Sequence, residues 1–302
     1  MPRTLFGPLD ERNQDYANAG NANIGRFQLG RYLVLPDNRV YQFTLNDGTA
    51  EVAGSLYQSV APLTGHTNAS ADVARAIDAT VISATLATTS AAVDIYAEGM
   101  AHINATPGEG YAYRIKRAFT AGAAHAAAVA TGVLTVNLEP GEQVQVALTT
   151  ASNVTFTRNR FHQPTIHLSP PTAQLAGVSP GVAALDRFYW SQVEGFAAVL
   201  AAGTLLAGLP VQADITTNGA VENVKRRVRT GGTVTVSIST VGVGQLTDQD
   251  GAIVAGAVSN VSTSVATTLD ISAGIAFNSP QVGMCIKANS DAELALIDLK
   301  LR

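Results

Sequence analysis

Five histidines, one acidic run and a few clusters of arginine and lysine are the residues of this 302-residue chain whose types and spacing could do chemistry. Of His66, His102, His125, His162 and His167, only the last two lie close in sequence. An odd separation on an extended segment places them on opposite faces, which is wrong for a shared metal. The single cysteine, Cys285, offers no companion ligand and no internal disulfide. Asp248-Gln249-Asp250-Gly251 opens like a calcium loop but lacks the third acidic position and the distal glutamate, and so reads as a polar turn. There is no Gly-x-Ser-x-Gly elbow and no Gly-x-x-x-x-Gly-Lys loop, and Gly242-Val243-Gly244 has neither a third glycine nor a following helix. Metal, cofactor-binding and catalytic residues are therefore expected to be none. A carboxylate pair for glycoside hydrolysis, joined only in space, stays open, with Asp186 and Glu194 flanking the aromatic stretch around Trp190.

Basic residues do cluster. In Lys225-Arg226-Arg227-Val228-Arg229 the extended backbone puts Lys225, Arg227 and Arg229 on one face. Arg114-Ile115-Lys116-Arg117 and Arg158-Asn159-Arg160 are lesser copies. Such patches suit docking to an acidic protein surface or the guarding of an exposed strand edge. A net charge of −4 argues against nucleic acid as the main ligand, since phosphate binding needs a concentrated positive field. The opening MPRTLFGPLDERNQDY lacks a basic region followed by an apolar core, and no apolar run reaches the roughly 18 to 20 residues of a membrane helix. The expectation is a non-secreted product, with no membrane partner.

The elements that would position these residues read as strands. Charged residues are only 14% of the chain, against roughly 25% in ordinary globular proteins. Short apolar alternations separated by Gly, Pro and Asn turns run from Arg31 onward: Arg31–Leu35, Val40–Leu45, Glu51–Val60, Thr80–Thr85, Ala92–Asn104 and Tyr111–Ala118. Ala121–Ala130 admits a short helix. Val133–Leu138 and Gln143–Leu148 around Glu139-Pro140-Gly141-Glu142 form the cleanest hairpin signal. Arg187–Leu200 suits a long buried strand, Asn218-Gly219 marks a hairpin, and Ala292–Leu301 closes the chain as a strand.

The fold class expected is all-β: two small β-barrel or β-sandwich domains of short antiparallel strands, with an extended N-terminal arm. The arm is residues 1–30, the first β-domain 31–168, a Pro-rich linker 169–181 and the second β-barrel domain 182–302. Tyr96-Ala97-Glu98-Gly99-Met100-Ala101 and Gln192-Val193-Glu194-Gly195-Phe196-Ala197 share a Glu-Gly-apolar-Ala pattern, from duplication or from chance in an Ala/Gly-rich chain. The polar arm must be held by its own body, a sister subunit or a larger assembly. Its expected interface residues are Arg3, Leu5, Phe6, Leu9, Arg12, Tyr16 and Phe27, with Lys225, Arg227 and Arg229 beyond the hairpin.

From Trp190 to Glu222 the order is an aromatic-Trp-x-Gln-Val-x-Gly-x-Ala strand, then Ala-Gly-Thr-Leu-x-Ala-Gly-x-Pro-Val, then Thr-Thr-Asn-Gly-Ala-Val-Glu. This run resembles small β-barrel segments of tailed-bacteriophage capsid decoration (cement) proteins. The resemblance covers residues 187–222 only. It implies a non-enzymatic virion protein, made in the host cytoplasm. Such a protein binds the major capsid protein on the outer capsid surface, assembles as a homo-oligomer with a trimer favoured, and ties capsomers together. A head fibre or tail protein fits the same residues. So does a carbohydrate-binding or glycan-hydrolysing β-domain using Tyr189 and Trp190 as a sugar platform. A major capsid protein fits less well, because that fold needs a long spine helix.

Overall fold

A computed structural model describes residues 5–6, 16–17, 27–46, 49–117, 124–185, 187–224 and 280–301. All of them belong to the compact unit formed by Met1–Val224 and Ser279–Arg302. The described residues are all-β, with no helix among them.

In chain order the strands begin with β1 (Leu5–Phe6), β2 (Tyr16–Ala17), β3 (Tyr32–Val34), β4 (Val40–Leu45) and β5 (Leu56–Gln58). Next come β6 (Ala69–Ser70), β7 (Val81–Thr85), β8 (Met100–Ile103), β9 (Ala112–Arg114), β10 (Val133–Asn137) and β11 (Asn153–Thr157). The chain then supplies β12 (Thr165–Ile166), β13 (Leu175–Val178), β14 (Arg187–Leu200), β15 (Pro210–Ala213), β16 (Val221–Asn223), β17 (Gln281–Lys287) and β18 (Leu294–Lys300).

These strands divide into two β bodies, one nested inside the other. The large curled sheet runs β1-β3-β4-β14-β18-β17-β15-β16, with β2, β5, β12 and β13 attached beside it. Every strand from β6 to β11 instead belongs to a two-stranded sheet (β10-β7) or a four-stranded one (β6-β11-β8-β9). The strands that flank this excursion, β5 and β12, pair directly with each other, Gln58 opposite Thr165 and Tyr57 opposite Ile166. Residues 59–164 are thus an insert whose two connections leave adjacent strands of the host sheet.

The boundaries expected from composition fall elsewhere. The tandem prolines near 170 point to a linker at 169–181, yet Leu175–Val178 is a buried strand of the large sheet, paired with β5 and β14. Residues 31–58 belong to the sheet of the C-terminal strands and not to the sheets of the insert, because β4 pairs with β14 over its whole length. Sequence proximity misleads here because proline marks a local stop but carries no information about which distant strand will be paired.

Three apolar clusters follow this division. Ile82, Tyr96, Tyr113, Leu134, Val136 and Phe156 centre the insert's core. Within the large sheet, Leu33, Tyr41, Phe43, Phe188 and Trp190 form an aromatic core, while Val193, Val199, Val211, Val282, Ile297 and Leu299 form an aliphatic one. The Glu-Gly echo is not a structural repeat, since residues 96–99 are in turns and 192–195 lie within β14.

Two local expectations fail for identifiable reasons. The Glu139-Gly141 turn forms, with the Glu142 N–H donating to the Glu139 carbonyl and Gly141 at φ 97°. Its second arm is not a strand, however. Residues 143–148 give their amides to other neighbours, Val144 to the Ala79 carbonyl and Leu148 to the Arg75 carbonyl, while β10 takes β7 as its partner. Residues 124–130 are not helical despite their alanines. Ala124 and Ala128 are buried in the insert core, and Ala128 and His125 bridge to Ala91 and Val136. Tertiary pairing overrides the alanine propensity.

The insert is clasped to the host sheet by one buried carboxylate. Glu98, in the left-handed conformation at φ 56°, accepts the Leu29 N–H at Oε2 (2.8 Å) and the Arg117 Nε–H at Oε1 (3.0 Å), with Arg114 Nη2 at 3.6 Å. Arg117 also donates to the Phe27 carbonyl (2.9 Å), and Asn159 donates to the Glu98 carbonyl (3.2 Å). Burial raises the Glu98 carboxyl above its ordinary range, opposed by Arg117, the Leu29 amide and Arg114. Replacing Glu98 by Ala leaves Arg117 buried without its acid. The expected loss is about 3 kcal/mol, the lower end for breaking a buried ion pair because Arg114 keeps contact with water. Urea denaturation of wild type and Glu98→Ala measures it.

Candidate interaction surface

The surface begins with a change of character halfway along β14. From Phe188 to Val193 every side chain is buried, so both faces of the strand are covered. Its register then shifts between Gln192 and Glu194, and pairing with β4 gives way to pairing with β18. Gly195 sits at φ 83°, where a Cβ would come within 3.1 Å of the Arg39 Cα. The shift turns three carbonyls toward one another, and a single buried amide serves them all: Gln192 Nε2 lies 3.2, 3.3 and 2.9 Å from the carbonyl oxygens of Glu194, Gly195 and Phe196. A β-bulge bends a strand and re-aims the residues after it.

Beyond the bulge one face of the sheet opens to water. Inward, Ala197, Val199, Ala295, Ile297 and Leu299 remain in the aliphatic core. Outward, Phe196 is 57% exposed and stands opposite Asp298, which in turn faces Met284. Ala198 opposes Leu296, and Leu200 opposes Leu294. Leu294, Leu296, Met284 and, at the β17 irregularity, Ile286 are all exposed. An antiparallel sheet with one solvated face ordinarily alternates apolar in and polar out. Here most of the outward positions are apolar as well, interrupted by Asp298 between Phe196 and Met284 and bounded at one end by the cross-strand pair Glu194 and Lys300. A depression of about 330 Å³ lies on this face, lined by Gln281, Gly283, Met284, Asp298 and Lys300.

A second concavity of about 250 Å³ is lined by Thr49, Glu51, Val52, Tyr57, Pro164 and Ile166, among others. Glu51 is buried there and accepts the Tyr189 hydroxyl (3.2 Å), while the Val52 N–H donates to the Tyr57 hydroxyl (2.8 Å). Burial, then Glu51, pushes the Tyr189 phenol well above its ordinary value. The arrangement keeps Tyr189 protonated, as a fixed donor to Glu51.

The residues expected to carry function are dispersed. Phe27 is not an intersubunit contact; it is buried in the aromatic core of its own chain, 5.2 Å from Phe43 and 5.4 Å from Trp190 between ring centroids. Leu5–Phe6 pairs with β3 and Tyr16–Ala17 with β14 of the same chain. Arg3, Leu9, Arg12, Lys225, Arg227 and Arg229, like Asp186 and Asp248–Gly251, lie outside the described residues. The lesser basic clusters serve contacts within the chain. Arg114 and Arg117 neutralise Glu98, while Arg158 and Arg160 are turned inward and depressed by burial. Tyr189 and Trp190 are buried, so neither offers a face to a sugar. His162 bridges to Leu45, and His167 is held between the carbonyls of Leu168 and Ala220.

The outward apolar rows escape the sequence reading although a signal exists. Phe196-Ala-Ala-Val-Leu and Leu294-Ala-Leu-Ile break the expected alternation, which means that both faces are apolar. Comparison of the chain with protein-family models, with curated proteins and with solved structures finds no match.

Two measurements check this geometry. Trp190 is the only tryptophan, so native fluorescence is expected to be insensitive to iodide and unchanged by added oligosaccharides, becoming quenchable only on unfolding. Gln192→Leu removes the buried donor shared by these carbonyls, and is expected to cost about 2 kcal/mol in chemical denaturation.

Proposed function

We propose that this chain is a non-enzymatic structural protein that works by docking the outward face of β14, β18 and β17 onto a protein partner. The observation that carries the reading is a largely apolar outward face on a well-paired sheet, with Phe196, Leu296, Leu294 and Met284 exposed around the single acid Asp298. Exposed apolar patches rimmed by charge mark interaction sites, and each square ångström removed from water contributes about 25 cal/mol. The finer reading is a capsid decoration protein of a tailed bacteriophage, located on the outer capsid surface. The major capsid protein is its partner and its own copies are its neighbours. It draws support from the run 187–222, whose resemblance to decoration-protein segments covers the strand that supplies Phe196.

The test pairs Phe196→Lys with Leu296→Lys. Both side chains point to water, so the double variant is expected to keep its native Trp190 fluorescence and lose less than about 1 kcal/mol of stability. It is also expected to sediment as a smaller species than wild type, and to stop co-sedimenting with purified capsids that lack the protein. A folded double variant that assembles and binds capsids like wild type overturns the docking face. Wild-type protein that self-associates but never binds such capsids overturns the decoration reading alone.

A further inference from the structure

The outward rows of β14 and β18 place opposite charges, bulk and aliphatic side chains at successive levels of one ladder. Glu194 stands opposite Lys300, Phe196 opposite Asp298, Ala198 opposite Leu296 and Leu200 opposite Leu294. Opposite charges thus face each other at one end of the rows and aliphatic pairs at the other. Between them Phe196 is the most exposed large apolar side chain of these strands. Beside it, toward β17, lies the depression of about 330 Å³ rimmed by Asp298, Lys300, Met284 and Gln281, with Gly283 adding no side chain to fill it.

A two-fold axis parallel to the strands, midway between β14 and β18, exchanges the two rows without changing the level of any residue. Each side chain then meets, on a second copy, the residue type that it already opposes in its own sheet. Glu194 meets Lys300 and Lys300 meets Glu194, which makes two reciprocal ion pairs. Ala198 meets Leu296, and Leu200 meets Leu294. Phe196 is carried to Asp298 at the rim of the depression, where a carboxylate suits the positive edge of the ring. Other two-folds fail on charge. An axis along β18 sets Asp298 on Asp298 and Lys300 on Lys300, and an axis across the strands sets the Glu194–Lys300 end on the Leu200–Leu294 end. Packed sheets cross at about 30°, which over rows about 20 Å long displaces the outer pairs by about one strand spacing, within the reach of a glutamate and a lysine.

We propose, resting on the docking reading above, that the occupant of this face is a second copy of the same chain, joined about this axis with Glu194 and Lys300 of each copy paired to Lys300 and Glu194 of the other. Rows about 20 Å long on three strands cover less than the roughly 800 Å² per partner of a standard interface, so the pair is weak and reversible. Such a contact joins copies in pairs; a trimer needs another surface.

Analytical ultracentrifugation of the intact protein with reversed charges tests this. Glu194→Lys and Lys300→Glu each put like charges at both reciprocal contacts, and each is expected to weaken self-association at least about tenfold. An equimolar mixture of the two is expected to associate within about threefold of wild type, because each variant supplies the charge that the other lacks. Mixing cannot repair the ladder within a chain, so recovery reports the contact between copies. The double variant Glu194→Lys/Lys300→Glu keeps opposite charges across its own ladder, and so carries the test if a single reversal does not fold. It is expected to self-associate like wild type and to exclude labelled wild-type chains. The two-fold pairing is overturned by wild type that stays monomeric up to about 1 mM, or by single reversals that associate like wild type. A mixture of folded variants that does not recover, or a double variant that co-assembles with wild type, overturns it as well. The docking face itself fails only if Phe196→Lys with Leu296→Lys also assembles and binds capsids like wild type.

Discussion

A strand that serves two cores must change its pairing without leaving its backbone unsatisfied, and the bulge of β14 at Gln192–Glu194 is where this chain meets that demand. Before it, Phe188 and Trp190 fill the aromatic core and β4 supplies the ladder. After it, Ala197 and Val199 fill the aliphatic core and β18 supplies the ladder. The Gln192 amide reaches the carbonyls of the transition, and Gly195 adopts a backbone angle that a side chain would strain. A buried amide with three carbonyl acceptors is a device of position, since none of the three could be relocated without breaking a neighbouring pair. The exposed face of the sheet exists because the strand emerges from double-sided burial at this point.

The second constraint is the attachment of the insert. An insert held only by its two connections would pivot on them, but Glu98 binds Leu29 and Arg117 across the boundary, and Asn159 holds the Glu98 carbonyl from the return connection. Next to this charged clasp sits a neutral cluster around Tyr96. The two respond oppositely to acid. Burial raises the Glu98 carboxyl and lowers the His125 imidazole, disfavouring the charged form of each.

How much of this the sequence discloses depends on whether the information is local. The limits of β4 and β14 are legible to the residue, because the alternation of β4, the long apolar run of β14 and the turns that flank them are all local signals. β18 is legible within two residues. The Glu139-Gly141 turn is legible as a turn but not as a hairpin, because Gly141 fixes a backbone angle and says nothing about whether Val144 will prefer Ala79. The nesting of 59–164 leaves no local trace, being expressed only in the pairing of Gln58 with Thr165. Functional residues fare worst. Arg114, Arg117 and Arg158 read as surface charge, yet the structure turns them toward Glu98 and Tyr96, and Phe27 reads as part of an arm, yet it closes a core. Phe196 and Leu296 can be found from their broken alternation alone.

The pairing of β5 with β12 has a consequence for how this molecule can vary. The entry and exit of the insert stand side by side on paired strands, so from the host sheet's point of view the whole of 59–164 occupies the place of a hairpin loop. Loop closure depends only weakly on length. A short turn joining Gln58 to Thr165 satisfies the same backbone geometry as a cassette of about a hundred residues, provided that the groups now capped by the insert, Leu29 N–H, Leu45 N–H and Phe27 C=O, find other partners and the place of Phe161 in the aromatic core is filled. The host sheet is accordingly a chassis with one exchangeable module, and differences among versions of this protein are expected to concentrate in that module while the bulged strand stays constant.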